Sequence, residues 1–274
     1  MRGPRNLAVA VRKTSGDIVV DTQPINSPTK KYKFLKWPLF RGVLALFEAM
    51  VLGIKILTFS ANMAMDDEEE GETLTTKEIF FTIVLALGLA ILLFVIIPTT
   101  AAYFLQAYLA PFWQNIAEGF LRLLIFVAYV GSIGHMKDIQ RVFQYHGAEH
   151  KVINAYEAGE NLTVESVKKY TTQHPRCGTS FMLFVLVLTI FLYSFLNTPG
   201  IWSRMASRIL LLPVVAGLAY EFIKWSGKHA CKWWVKILIA PGLWVQALTT
   251  REPDESQIEV AICALEGVLE ENDR

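Results

Sequence analysis

The sequence predicts an all-α polytopic membrane protein, with about four transmembrane helices and re-entrant or interfacial helices beside them. A small N-terminal β-hairpin and a cytoplasmic helical loop carrying a metal site complete the expected fold. Three observations lead there. Hydrophobic residues make up 53% of the 274 and charged residues only 19%, below the roughly 25% of soluble domains, and the mean hydropathy is +0.36. Several apolar runs approach the roughly 20 helical residues that a hydrocarbon core of about 30 Å requires. Lys and Arg are unevenly placed: nine in 1–41, none in 98–119, six in 137–180 and five from Lys224 to Arg251.

In chain order, residues 6–23 alternate apolar and polar around Thr14-Ser15-Gly16-Asp17, the pattern of a hairpin. A Pro- and Lys-rich linker with Lys30, Lys31, Lys33 and Lys36 follows. The predicted spans are Ile79–Ile97, Phe120–Met136, Phe181–Leu196 and Arg208–Trp225. Arg122 is expected to snorkel from the end of the second. Residues 41–64 hold Glu48 and Lys55 in apolar surroundings, where the two are expected to pair locally or snorkel. Residues 235–248 are short and carry Pro241-Gly242. Both segments read as interfacial or re-entrant helices, or as helices packed against the bundle. The tail from Pro253 predicts an amphipathic helix capped by Asp254, with Gln257 in the capping-box position and its stripe Ile258, Ile262, Leu265 and Leu269 docked on the protein.

Five units result: 1–40, hairpin and basic linker; 41–136, amphipathic helix and two spans; 137–180, the His/Cys segment; 181–250, the second pair of spans with the re-entrant helix; 251–274, the C-terminal helix. With 41–64 not crossing, the positive-inside rule puts the N-terminus, 137–180, the C-terminus and the acidic stretch at 65–78 in the cytoplasm; a crossing there changes the topology before residue 98. Three cysteines without framework spacing give no disulfide scaffold, and a net charge of +1 gives no reason to expect nucleic acid.

The chemistry concentrates between spans two and three. Asp138 is positioned to cap a helix that Gly159 ends, and within it "HGAEH" sets His146 and His150 one turn apart on one face. This is the H-x-x-E-H order, with Glu149 placed as a base or an orienting group. A short helix near Thr163 then returns the chain to "HPRC", which adds His174 and Cys177. Three of five histidines and one of three cysteines thus fall within 32 residues. Two imidazoles, a third and a thiolate suit a divalent metal, above all Zn2+. A histidine pair can also be a plain hydrogen-bonded polar face, and Glu157 reads as facing water, about 10 Å beyond His150. His135 and His229 read as interfacial.

The stretches "MRGP", "AVAVR", "RGVLALFEAMVLG", "QYHGAEHKVINAYE", "HPRCGTSF" and "PGLWVQALTTREPDESQIEVAI" resemble the YqhQ-like family of bacterial membrane proteins over nearly the whole chain. The family is uncharacterised and predicted to be metal-dependent. The resemblance implies a multi-pass protein of the bacterial cytoplasmic (inner) membrane, with His146, Glu149, His150, His174 and Cys177 where the family's predicted site stands.

The expected function is that of a metal-dependent, hydrolase-type enzyme with Glu149 as catalytic base and His146, His150, His174 and Cys177 as metal ligands. The alternative is a scaffold, transport component or membrane-protein assembly factor with a structural metal. Its expected partners are the lipid bilayer and other membrane proteins. The charge pattern makes a first prediction, in a cysteine-free background in intact cells. Cysteines introduced at 105–115 react with an impermeant thiol reagent and those at 150–170 do not; the opposite pattern sinks the topology.

Overall fold

The N-terminal alternation folds as expected. Strands β1 (Asn6–Arg12) and β2 (Ile18–Pro24) pair antiparallel, Asn6 opposite Pro24 and Arg12 opposite Ile18. The structure is a computed structural model that describes residues 1–3, 5–25, 32–65, 76–198, 200–229 and 232–272. Lys30 and Lys31 of the basic linker, most of the acidic stretch and Cys231 lie outside the described residues.

Helix α1 (Phe40–Met65) covers the segment read as interfacial or re-entrant, and its stretch Phe40–Ser60 is by length and apolarity sufficient to cross a membrane. Glu48 and Lys55 do not pair with each other. Arg2 donates to Glu48 at 3.0 Å and Lys55 donates to Gln23 at 2.7 Å, because the hairpin lies along this face of α1. Helix α2 (Thr76–Ile91) runs through one wide π turn, Leu92–Ile96, into α3 (Ile97–Phe104). Helix α4 (Pro111–Ile133) starts well before Phe120: proline suits the first helical position, and the polar residues that follow are buried against other helices.

Two polar-region helices follow, α5 (Lys137–Glu157) and α6 (Val164–Lys168), then α7 (Gly178–Ser194), α8 (Ile201–Lys228), α9 (Trp233–Thr249) and α10 (Glu255–Asn272). Among the described residues, four helical stretches have membrane-crossing length and apolarity: Phe40–Ser60, Lys77–Ala107, Pro111–Ile133 and Ile201–Lys228. The number matches the expectation, but the membership differs. Length and apolarity alone admit α1 and leave out α7, apolar but only 17 residues long. Because the hairpin, α5 and α10 pack together, an even number of crossings separates each from the next, as the four predicted spans give. Helix α9 runs unbroken through Pro241 and Gly242.

Opposite the apolar helices, the hairpin, α5, α6 and α10 form one packed unit. Its core joins Ala148, Val152 and Ala155 of α5, Val167 of α6, and Ile258, Ile262 and Leu265 of α10, with Leu269 packed against them. The predicted stripe is therefore docked, and the capping box closes as expected. Gln257 N–H donates to Asp254 Oδ1 at 2.9 Å, and Gln257 Oε1 accepts from Asp254 N–H at 3.0 Å. Asp138 does not cap α5; Met136 holds the cap position and Asp138 sits in the first turn, where its charge suits the helix dipole. Gly159 does end α5, with φ +78°.

Arg122 does not snorkel. It is buried with Glu118, Arg204 and Arg208 between α4 and α8. Glu118 accepts from Arg122 at 2.8 Å, from both Nε and Nη2 of Arg208 at 3.0 Å, and from Thr99 at 3.1 Å. Arg204 is held by Gln114 and Asn115. Arg122 Nε also donates to Phe94 O at 2.7 Å. That carbonyl lies four residues before Pro98, which has no N–H to offer it. One carboxylate thus balances several arginines in the apolar layer. Breaking a buried ion pair from one side costs about 3–5 kcal/mol. Glu118→Ala should lower thermal stability in detergent by an amount of that size; a melting temperature equal to wild type would show that the arginines are neutralised elsewhere.

Candidate metal centre

Helix α5 aims His146 and His150 at the N-terminal end of α7, where Cys177 is the cap residue. Side-chain donor atoms of His146, His150 and Cys177 all lie within 4.8 Å of one another. His146 Nε2 is 3.2 Å from Cys177 Sγ. Each ring is oriented from behind through Nδ1–H: His146 donates to Thr249 O at 2.9 Å and His150 to Thr172 O at 2.6 Å. Both rings therefore present the Nε2 lone pair forward, as backbone-anchored metal-ligating histidines do. Donor atoms on a tetrahedral Zn2+ stand about 3.5 Å apart, given bonds of about 2.0–2.3 Å, so the three residues fit such an ion.

His174 stands beside this group and outside it, its ring 5.8 Å from that of His150. Its backbone is clamped by buried Gln246, which accepts from His174 N–H at 2.9 Å and donates to His174 O at 2.8 Å. Glu149 is half-buried and lines the same cleft of about 950 Å3 as the three donors, His174, Arg176 and Glu157. Ile153, Leu265, Val268 and Leu269 form its apolar wall. Glu157 does not simply face water. It pairs with Arg176, and its Oε2 lies 3.6 Å from His174 Nε2. His135 and His229 are exposed at helix ends, each bonded to a carbonyl one turn back.

Burial alone would raise the Cys177 thiol. Its contacts with His146 and His150 outweigh burial and bring the thiol from 9.0 down to about 5. Without a metal the proton sits on His146 Nε2 and bonds the sulfur, and with one the ion takes that proton's place. Burial opposes the charged form of His146 too, but the bond to Cys177 wins and raises it. Burial and the neighbouring His150 hold His174 below its ordinary value. A thiolate poised at neutral pH between imidazole nitrogens is the form in which cysteine ligates metal.

Fold and site together define a helical protein with membrane-length apolar helices and a His/Cys group at the seam between those helices and a polar unit. The chain belongs to the DUF1385 family, a protein family of unknown function whose model matches residues 37–271. It is 34% identical over 290 residues to the uncharacterised protein YqhQ of Bacillus subtilis, covering 99% of this chain and 91% of that one. No solved structure matches.

Some contributors were not read from the sequence. Gln246 could have been found as a lone amide in an apolar run. Gly147 could have been found as the glycine inside "HGAEH". The segment after α9 crosses α5 there, with Arg251 N–H donating to Phe143 O at 3.0 Å, and a β-carbon on Gly147 would collide with the Arg251 carbonyl. Gly147→Ala should therefore destabilise by about 1–3 kcal/mol, the cost of overpacking. Gly131→Ala, with open space around it, should be neutral or slightly stabilising. Thermal unfolding of the two variants side by side checks this, and equal behaviour would refute the close approach.

Proposed function

We propose that the protein is a multi-pass protein of the bacterial cytoplasmic membrane in which His146, His150 and Cys177 hold a divalent metal, with Zn2+ the ion the donor set favours, at a hydrolytic centre facing the cytoplasm. The observation that carries this is the convergence of two anchored imidazoles and a low-pKa thiol within 4.8 Å on the wall of a 950 Å3 cleft. Three protein ligands and an open position are the catalytic arrangement. Such an ion supplies Lewis acidity, polarising a carbonyl or phosphoryl oxygen and acidifying water.

The chain's own residues supply the rest. Glu149, next to His150 and open to the cleft, takes and holds the proton of the attacking water. Thr249 O and Thr172 O keep both imidazoles in the tautomer that leaves Nε2 free. The apolar wall excludes water from one side of the substrate. The cytoplasmic orientation is supported by the Lys/Arg pattern and by the packing of the hairpin, α5 and α10 into one unit.

A structural centre in a scaffold or assembly factor is the second reading. The junction favours it, because the donors tie α5 to the start of α7. It requires His174 as a fourth ligand, which closes the site. Metal analysis of purified protein separates the two. Wild type should carry roughly one ion per chain, His146→Ala and Cys177→Ala should each lose it, and Glu149→Gln and His174→Ala should keep it. Loss of metal in His174→Ala as complete as in His146→Ala would favour the closed centre, and metal-free wild type would end both.

A further inference from the structure

Beside the three donors, the cleft wall holds a second arrangement that metal binding does not use. His174 Nδ1 accepts the backbone N–H of Arg176 at 3.3 Å. In a neutral ring the proton is then on Nε2, so His174 offers a donor, whereas His146 and His150 offer lone pairs. That Nε2 is buried and has no hydrogen-bond partner. Arg176 is also built into place: its stem lies against Gly227 of α8, where a β-carbon would stand 2.9 Å from Arg176 Cγ. Two donors thus converge, a half-exposed guanidinium whose stem is packed on α8 and a buried imidazole N–H. The Glu157 carboxylate lies between them, one oxygen on Arg176 and the other 3.6 Å from His174 Nε2.

Glu157 is poorly suited to be a permanent occupant. It is the last residue of α5, where the helix dipole disfavours a carboxylate. Its side chain is 44% exposed, and its approach to His174 falls short of a hydrogen bond. An oxyanion from outside can displace it into water. We propose that Arg176 and His174 form an oxyanion seat, filled internally by Glu157, that takes the phosphate or carboxylate group of the molecule bound in the cleft. This rests on the cleft being a substrate site and names the substrate class: an anionic molecule, its acidic group on Arg176 and His174 and its reacting bond toward His146, His150 and Cys177. Arginine suits a planar or tetrahedral oxyanion through its forked donors.

The test is titration calorimetry on the full chain in detergent, with inorganic phosphate and, separately, acetate. Glu157→Gln should bind one of the two about tenfold more tightly than wild type, a change of about 1.4 kcal/mol. Whichever anion gains more identifies the substrate's acidic group. Adding Arg176→Gln should abolish the gain, and adding Arg176→Lys should keep part of it. Glu157→Ala repeats the comparison if the amide itself refills the seat or prevents folding. Equal affinity in wild type and both Glu157 variants overturns the proposal. So does a gain that survives Arg176→Gln, since the anion is then bound elsewhere, on a metal for example. Metal content measured on the same samples keeps the two ideas separate. An Arg176-dependent gain in metal-free protein leaves the seat standing without the metal centre, and retained metal with no gain does the reverse.

Discussion

The arrangement depends on one close approach, the crossing of residues 249–251 over α5 at Gly147. His146 and His150 belong to the polar unit, whereas Cys177 caps a helix of the apolar bundle. Nothing in the local structure of either part brings them together. The crossing does so: Arg251 N–H bonds to Phe143 O, its guanidinium reaches Gly134 O, and Thr249 O receives the His146 ring. Backbone-to-helix contact at this distance leaves no room for a side chain, so glycine stands at 147. The same contact therefore sets both the docking of the two parts and the rotation of the first histidine.

Features governed by near neighbours were legible in the sequence. The hairpin, the left-handed stop at Gly159, the reciprocal cap of Asp254 and Gln257, and the one-face histidine pair each follow from residues a few positions apart. The return of "HPRC" to the histidines was legible as well, because the intervening chain is long enough for one turn and a short helix. Features governed by distant partners were not legible. A charge in an apolar run reads as the end of a span until its partner is known, so Arg122 looked terminal. Its partners Glu118 and Phe94 O turn it into an interior residue. Glu48 and Lys55 likewise have their partners on the hairpin. At the site, chain spacing offers His174 and Cys177 alike; the structure draws Cys177 to the histidine pair and gives His174 Nδ1 the Arg176 N–H as a partner.

Two groups of buried polar residues follow opposite rules. Around Glu118 the carboxylate is spent on Arg122, Arg208 and Thr99, and the effect is to lock α4 to α8 within the apolar layer. At the cleft the polar atoms are held from behind by backbone carbonyls and amides, with their front faces left toward open space. The first pattern uses up its donors and acceptors in stability. The second reserves them, and sites that bind are built in this way.

The position of Cys177 ties these threads together. As the cap of α7 it accepts the Thr179 N–H at 3.4 Å, and the first turn of a long apolar helix presents its positive end to the sulfur. The helix end reduces the cost of a thiolate there without by itself overcoming burial. The two imidazoles add to that preference and outweigh a burial that would otherwise keep the proton on sulfur. The N-terminus of this 17-residue helix lies at the seam, within reach of α5. There the sulfur meets both the helix end and His146 Nε2, two sources of positive charge from different parts of the fold. The lowered thiol is thus the consequence of one placement, the N-cap of α7 against the histidine face of α5.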